Sequence, residues 1–278
     1  MNKTVCPVCP HHCILTDTYK GRCNSREAVE QQSRSRTYGR IVSAGLDPIE
    51  KKPLHRFYPG SLILSVGTTG CNLDCPFCQN CAIAHPESPV RTYPVSPEEL
   101  VERACALQNK GNIGIAYTYN EPLIGYEYVR DTAKLARKAG LKNVVVTNGF
   151  TTDDVLDALL PVIDAWNIDL KGDEAFYRAL GGSLAPVKNT IRRAAAVSHV
   201  ELTTLVIPGK NDDPQAFENI VQMVAEIDPS IPLHISRFFP ARKWRHIPAT
   251  PHPILQAMQA IAQKHLEIVI PGNVHDLL

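Results

Sequence analysis

Three cysteines lie close together in the segment Cys71-Asn-Leu-Asp-Cys75-Pro-Phe-Cys78. Thiolates are soft ligands that bind zinc and iron–sulfur clusters. A closed 4Fe–4S cluster takes four cysteine ligands, so a set of three leaves one iron free to bind a group that is not protein. The C-x3-C-x2-C spacing therefore predicts an open 4Fe–4S cluster at Cys71, Cys75 and Cys78.

Cys81 follows three residues after Cys78 and leaves an alternative open. As a fourth ligand it would close the site around zinc or around an electron-carrying cluster. The protein would then be a non-catalytic iron–sulfur or zinc protein. The carboxylate of Glu121 and the polar residues that follow the predicted strands argue against this alternative.

Four more cysteines form a second group near the amino terminus, with the spacing C-x2-C-x3-C-x9-C. So short a segment cannot build a hydrophobic core, and a bound metal would supply its folding energy. Zinc and an auxiliary iron–sulfur cluster both fit this spacing, while free thiols are the third alternative. We predict a cysteine-rich metal-binding segment at residues 1–40 and a main domain at 41–278. The four predicted ligands are Cys6, Cys9, Cys13 and Cys23.

Composition restricts the classes of partner. The chain has 278 residues and a net charge of +1, from 29 basic and 28 acidic residues, so charge gives no reason to expect nucleic acid or an anionic membrane. We find no apolar run of the roughly 18 residues that a membrane helix needs and no apolar signal-peptide core. The nine cysteines are therefore expected to be reduced, in a cytoplasmic protein.

Short apolar runs alternate with helical patterns from residue 61 onward, as in parallel β/α units. The runs are apolar on both faces, which is typical of strands covered on two sides. The fold class predicted is α/β, a full or partial TIM-type (β/α) barrel, with an open doubly wound sheet as the alternative. The predicted strands are Leu62–Val66, Ile113–Tyr119, Lys142–Thr147, Ala165–Leu170, Glu201–Ile207, Leu233–Phe239 and Leu266–Ile270.

Helix start signals lie between these runs. Ser96-Pro-Glu-Glu99 is a capping box with proline at the first helical position. A second helix is predicted from Pro122 to Ala139, where Gly140 ends it. Two more are predicted to begin at Asp213-Pro214 and at His252-Pro253.

Polar residues at the carboxyl ends of the predicted strands are candidates for a site, because the βα loops of a barrel converge there. Glu121 offers a carboxylate to a cationic ligand, although it could also simply begin a helix. On the sixth strand, a histidine and an arginine are candidates for substrate contact. The candidate residues after the strands are Tyr119, Asn120, Glu121, Thr147, Asn148, Asp169, Lys171, Ile207, His234 and Arg237.

These motifs in combination resemble the radical SAM protein of the AmmeMemoRadiSam system, which is itself similar to pyruvate formate-lyase activating enzymes. The resemblance covers nearly the whole chain. Besides the two cysteine groups, it rests on the segments Asp47–Leu54, Tyr58–Gly60, Cys78–Asn80, Tyr119–Pro122, Thr147–Gly149, Ile168–Gly172 and Val206–Asp212.

The resemblance implies a 4Fe–4S cluster whose open iron binds S-adenosylmethionine (SAM). In such enzymes Glu121 would accept hydrogen bonds from the SAM ammonium, and Phe77 and Ile207 would lie beside its adenine. Reductive cleavage of SAM would yield a 5′-deoxyadenosyl radical, which abstracts hydrogen from a protein or a small molecule. Activation of a glycyl-radical enzyme is the alternative activity, and the expected electron donor is a protein such as flavodoxin or ferredoxin.

Overall fold

The computed structural model describes residues 3–274, so the outer ends of both predicted segments lie outside the described residues. Two antiparallel hairpins begin the described chain. The first pairs β1 (Lys3–Val5) with β2 (Ile14–Thr16), and the second pairs β3 (Arg26–Val29) with β4 (Gln32–Ser35). The two hairpins contact each other and join the main core through Cys6, Val8, Leu15 and Ala28.

One curved sheet of eight strands forms the centre of the main domain. Its order is β14-β13-β12-β11-β10-β9-β7-β6, and every neighbouring pair is parallel except β6 and β7. A short ribbon of β5 and β8 lies apart from it. The strands are β5 (Arg40–Ile41), β6 (Ser43–Pro48), β7 (Leu62–Gly67), β8 (Tyr93–Pro94), β9 (Asn112–Tyr117), β10 (Lys142–Thr147), β11 (Ala165–Asp169), β12 (His199–Val206), β13 (Leu233–Arg237) and β14 (Val269–Gly272).

The strand order identifies a partial barrel. From β7 to β14 the parallel strands follow one another in chain order, whereas a doubly wound sheet reverses direction at a switch point. The sheet keeps two edges, at β6 and β14. The predicted barrel is therefore confirmed in its partial form, and the doubly wound alternative is wrong.

Helices connect the parallel strands and cover the outer face of the sheet. The capping box predicted at Ser96 is present: its hydroxyl accepts from the Glu99 amide at 3.2 Å, and the Glu99 carboxylate accepts from the Ser96 amide at 2.8 Å. Single-turn 3-10 helices lie at Ile49–Lys51, Gln108–Lys110, Pro122–Gly125 and Arg242–Trp244. The α-helices are α1 (Cys81–Ala84), α2 (Pro97–Ala106), α3 (Tyr126–Lys138), α4 (Asp153–Leu159), α5 (Glu174–Ala179), α6 (Leu184–Ala195), α7 (Pro214–Ala225) and α8 (His252–Ala262). Within residues 3–274 we see no helix with the length and apolarity to cross a bilayer.

Several predicted boundaries differ from the structure by one to three residues or more, and three of them are informative. The helix predicted from Pro122 starts as a 3-10 turn and becomes α3 only at Tyr126. The strand predicted to reach Tyr119 ends at Tyr117, because Tyr119 has a left-handed backbone with φ of 71°. The last strand begins at Val269, three residues later than predicted.

A segment between β6 and β7 fills the amino-terminal end of the barrel. Ile49 and Leu54 are completely buried and pack against Ile63, Val144 and Ala165 on the inner face of the sheet. This segment, residues 49–61, is called the plug, and it supplies the core that the interior of a small barrel needs.

The buried carboxylate of Glu201 on β12 anchors this segment. Its two oxygens accept from the backbone amides of His55 and Arg56 at 3.0 and 2.8 Å, and from Nε2 of His199 and of His234 at 2.9 and 2.7 Å. Although burial opposes ionisation, these bonds to the histidines and amides hold the pKa of Glu201 at about 2. Glu201 is therefore ionised, and its hydrogen bonds join the plug to the sheet.

Glu201→Gln should lower the free energy of unfolding at neutral pH by roughly 3 kcal/mol, because an amide nitrogen would face buried donors. The folded-state pKa is depressed, so the wild type holds this stabilisation above the ordinary pKa of 4.5 and loses it as the pH falls towards about 2. Anaerobic urea unfolding at several pH values measures both effects. The exposed Glu267→Gln variant is the control, and equal stability of the two variants would contradict the role of Glu201 in joining the plug to the sheet.

Candidate active site

A cavity of about 310 Å³ opens at the carboxyl-terminal end of the parallel strands. Its lining combines thiols from the loop after β7 with polar residues from the ends of β9, β10 and β11. Of the predicted site residues, it is lined by Cys71, Cys75, Phe77, Cys78, Tyr119, Asn120, Glu121, Thr147, Asn148, Asp169 and Lys171. The structure thus brings these predicted residues together around one space.

The loop that carries the three cysteines is held from several sides. The Asp74 amide donates to the Leu180 carbonyl at 2.9 Å, and the Arg242 guanidinium donates to the Cys75 carbonyl at 2.8 Å. The Lys243 amide donates to the Pro76 carbonyl at 2.8 Å. Cys81 begins α1, one turn beyond the three cysteines. This scaffold fixes the loop before any ligand binds.

A partly buried ion pair lies beside the three thiols. Nζ of Lys171 is 2.8 Å from Oδ2 of Asp169 and 5.8 Å from the centre of the Phe77 ring. Burial raises the pKa of Cys75 to about 11, and the Lys171 ammonium opposes that rise. A cation in this place favours an anionic occupant such as a thiolate-bound iron–sulfur cluster, so the donor set fits that group.

Glu121 is the most heavily hydrogen-bonded acid in the cavity. It is 2% exposed and accepts from the Thr147 hydroxyl at 2.6 Å, the Asn148 amide at 2.8 Å and the Leu123 amide at 3.0 Å. Burial raises the pKa of Glu121 to about 7, even though these three donors favour the ionised form. A carboxylate offers about four acceptor directions, so one remains available to a ligand.

Asn148 connects this carboxylate to the cysteine loop. Its Nδ2 donates to the Asn72 side-chain oxygen at 2.8 Å and lies 3.6 Å from the Cys71 sulfur. The Asn72 side chain in turn donates to the Phe150 carbonyl at 2.7 Å. The ends of β9 and β10 and the first cysteine therefore form one hydrogen-bonded unit.

Tyr119 and Asn120 support the wall of the cavity beside β7. The Asn120 side chain accepts from the Thr68 amide and donates to the Gly70 carbonyl, so it joins the ends of β7 and β9. The Tyr119 hydroxyl donates at 2.8 Å to Asp47, which is also 2.8 Å from the buried Lys52 ammonium. Asp47 belongs to β6 and Lys52 to the plug, so together they position Tyr119.

Three predicted residues lie elsewhere. Ile207 is fully buried in the main core. His234 is 1% exposed and bound to Glu201 at the opposite end of the barrel. The Arg237 guanidinium donates to the Thr250 carbonyl at 2.9 Å and lies 5.0 Å from the Phe239 ring. The cavity lining does not include these three side chains.

Sequence reasoning missed several residues that do line the cavity. Thr203 and Leu205 of β12 and Ser236 of β13 point inward above Glu201 and His234. Side chains alternate along a strand, so positions 203 and 205 share the inward face of Glu201, and 236 shares that of His234. The alternation of side chains along these strands, counted from Glu201 and His234, therefore predicts that Thr203, Leu205 and Ser236 face the cavity.

The four amino-terminal cysteines line a second, smaller cavity. It is shared with Arg26 and with Asn72, the residue that follows Cys71. Burial raises the pKa of Cys9 to about 12 and that of Cys23 to about 11. Across residues 3–274 no three side chains of His, Cys, Asp or Glu are grouped around a single ion position, and this holds for both sets of cysteines.

Fold and site together define a SAM-dependent radical enzyme. Residues 65–223 match the model of the Radical SAM superfamily, and the chain belongs to this superfamily. An uncharacterized protein of Methanocaldococcus jannaschii is 38% identical over 278 residues, which cover 98% of this chain and 82% of that protein.

Two further comparisons agree with this family. The pyruvate formate-lyase 1-activating enzyme of Escherichia coli K12 is 26% identical over 168 residues, covering 57% of this chain and 66% of that enzyme. The structure of Streptococcus suis SuiB bound to S-adenosylmethionine matches with a TM-score of 0.59 at 13% identity, covering 77% of this chain and 52% of SuiB. The relation to activating enzymes is confirmed, and the likeness to SuiB shows the shared fold.

Proposed function

We propose that this protein cleaves SAM at a 4Fe–4S cluster bound by Cys71, Cys75 and Cys78 and uses the product radical to abstract hydrogen from a substrate. The chemistry supplied by the bound cluster and SAM is one-electron cleavage of the sulfonium S–C5′ bond, which gives methionine and a 5′-deoxyadenosyl radical. The observation that carries the proposal is the convergence of three thiols and the Glu121 carboxylate on one cavity.

Glu121 is placed to bind the SAM ammonium. Three of its acceptor directions are used by Thr147, Asn148 and Leu123, which leaves one for an ammonium donor. A charge-assisted hydrogen bond of this kind is stronger than a neutral one. Thr147 and Asn148 thus act by fixing the carboxylate, while Asp169 and Lys171 orient the remainder of the ligand.

Aromatic side chains shield the outer side of the cysteine loop. The Phe77 ring lies 5.5 Å from Trp244 and 6.1 Å from Phe176, measured between ring centres. Phe77 also lines the cavity, where its face can contact an adenine. This aromatic cluster covers one side of the cysteine loop.

The substrate is either a protein residue or a small molecule. The relation to the E. coli activating enzyme favours a glycyl-radical enzyme as the second candidate, with a backbone glycine as the site of hydrogen abstraction. A flavodoxin or ferredoxin would supply the electron. In this proposal residues 1–40 carry a further metal centre at Cys6, Cys9, Cys13 and Cys23, and neither the family match nor the relatives give support for zinc there.

Reduced protein mixed with SAM should produce 5′-deoxyadenosine, measured by liquid chromatography. Cys71→Ala, Cys75→Ala and Cys78→Ala should each abolish the product, because each removes one of the three ligands. Cys81→Ala and the distant Cys105→Ala are matched controls and should retain both the cluster and the product. Loss of the cluster in Cys81→Ala, with one of the three motif cysteines dispensable, would disprove the open-iron assignment.

Glu121→Gln should weaken SAM binding by about one to two decades while the cluster still assembles, since it removes a charge-assisted bond worth roughly 1.5–3 kcal/mol. Glutamine has nearly the same size as glutamate, and its side-chain oxygen can still accept from the buried donors. In the wild type, protonation below the pKa of about 7 removes the same charge, so affinity should fall as the pH drops through that value. Equilibrium binding at several pH values tests both effects. Glu102→Gln, exposed on α2, is the control. Unchanged SAM affinity in the Glu121 variant would show that Glu121 only supports the ends of β9 and β10.

Lys171→Met should make the reduction potential of the cluster more negative, because it removes a positive charge beside the thiols that favours the added electron. A redox titration followed by electron paramagnetic resonance measures the shift. Lys188→Met, half-exposed on α6, is the control. An unchanged potential in a variant with full iron content would show that Lys171 does not act on the cluster.

A further inference from the structure

The amino-terminal cysteine cavity is a built site that the proposed SAM chemistry does not use. Cys6, Cys9 and Cys23 are 4%, 7% and 8% exposed. The Cys6 amide donates to the Cys13 carbonyl at 2.9 Å, so the first hairpin brings these thiols together. The Ser33 hydroxyl lies 3.4 Å from the Cys6 sulfur. Three buried thiols and the half-buried Cys13 thus offer four soft ligands around one cavity, although they are not gathered around a single ion position.

A buried arginine supplies positive charge at this cavity. The Arg26 side chain is 2% exposed, and its guanidinium donates to Ser33, to the Ile124 carbonyl and to Glu127. It lines the same cavity as the four thiols. A fixed cation beside thiolates offsets part of the charge of an anionic centre, as Lys171 does in the main cavity.

The hairpins are fastened to the loops that carry the main site. The Val8 carbonyl accepts from the Thr151 hydroxyl at 2.9 Å, and the Ser25 hydroxyl donates to the Thr69 carbonyl at 2.9 Å. Nε2 of His11 lies 2.8 Å from the Asn72 carbonyl oxygen. A Cβ at Gly70, whose φ is +97°, would lie 2.0 Å from the Ser25 hydroxyl oxygen. The two cysteine groups are therefore held at a fixed and close separation.

Asn72 lies between the two groups of thiols. It follows Cys71 in the chain, and it lines the amino-terminal cavity together with Cys9. Its side-chain oxygen also accepts from Asn148, whose Nδ2 is 3.6 Å from the Cys71 sulfur. Asn72 thus borders the amino-terminal cavity on one side and is linked through Asn148 to the Cys71 sulfur on the other.

We propose that Cys6, Cys9, Cys13 and Cys23 hold a second iron–sulfur cluster that relays electrons through Asn72 to the cluster at Cys71, Cys75 and Cys78. This inference rests on the proposed function. One electron from a low-potential donor protein of the flavodoxin or ferredoxin class reduces the second cluster and passes to the first. From there it breaks the S–C5′ bond of SAM, giving methionine and the 5′-deoxyadenosyl radical, with no proton transferred. Zinc has no redox chemistry and could not act in this way.

Metal content of the wild-type chain is the first test. Protein purified and reconstituted without oxygen should contain about eight irons and eight sulfides per chain, as two 4Fe–4S clusters require. Replacement of all four amino-terminal cysteines by alanine should halve both values. About four irons together with one zinc per wild-type chain, or four irons alone, would overturn the proposal without any variant.

Electron delivery is the second test. In the quadruple alanine variant, reduced flavodoxin should produce 5′-deoxyadenosine at least ten-fold more slowly than in the wild type. A small photoreductant that reaches the main cluster directly should give nearly equal amounts with both. Equal rates with flavodoxin would overturn the relay, whereas no product from the wild type with either reductant would instead refute the proposed function.

Controls keep the second test interpretable. Cys105→Ala removes a thiol from α2 and should behave as the wild type with both reductants. If the quadruple variant does not fold, the single Cys13→Ala variant replaces it, because this thiol is only half-buried. The same split between reductants is expected there, and its absence in a variant that has lost four irons would overturn the relay.

Discussion

The buried carboxylate of Glu121 is the constraint on which the candidate site depends. It binds the Leu123 amide after β9 and both Thr147 and Asn148 at the end of β10, so two parallel strands end in a fixed relation. Asn148, held in this way, reaches the cysteine loop. Burial of an acid is unfavourable, and here three hydrogen-bond donors offset part of that cost. A site built on the ends of packed strands holds its side chains in a fixed geometry.

The plug at the other end of the barrel has an equivalent basis. Glu201 collects two backbone amides and two histidines in the interior, where it anchors the segment before β7 to β12. The same segment carries Lys52, which together with Asp47 of β6 positions Tyr119 in the wall of the cavity. Each end of the barrel is thus organised by one buried glutamate. The plug takes part in shaping the cavity as well as in filling the core.

The parts of the structure that depend on local sequence could be predicted. The three-cysteine motif, the capping box at Ser96 and the seven parallel strands follow from spacing and apolar runs. The antiparallel β6 and the plug could not be predicted, because Glu201 meets His55 across 146 residues and no local pattern records that contact. For the same reason His234 could be placed on its strand but not at the correct end of the barrel. The position of Asn72 between the two groups of thiols could not be predicted either, because Cys9, which lines the same small cavity, lies on a separate hairpin.

The attachment of the hairpins to the loops at Thr69 and Thr151 has a consequence for biosynthesis. The ribosome makes a chain from its amino terminus, so the thiols of residues 6–23 emerge well before the surfaces that cover them. The loops that this segment docks against, at Thr69 and Thr151, are made only later. The first four thiols therefore emerge before they can be buried, whereas the cavity at Cys71, Cys75 and Cys78 takes shape only once β9, β10 and β11 have been made. The order of the two cysteine groups along the chain thus sets the order in which their thiols first become accessible.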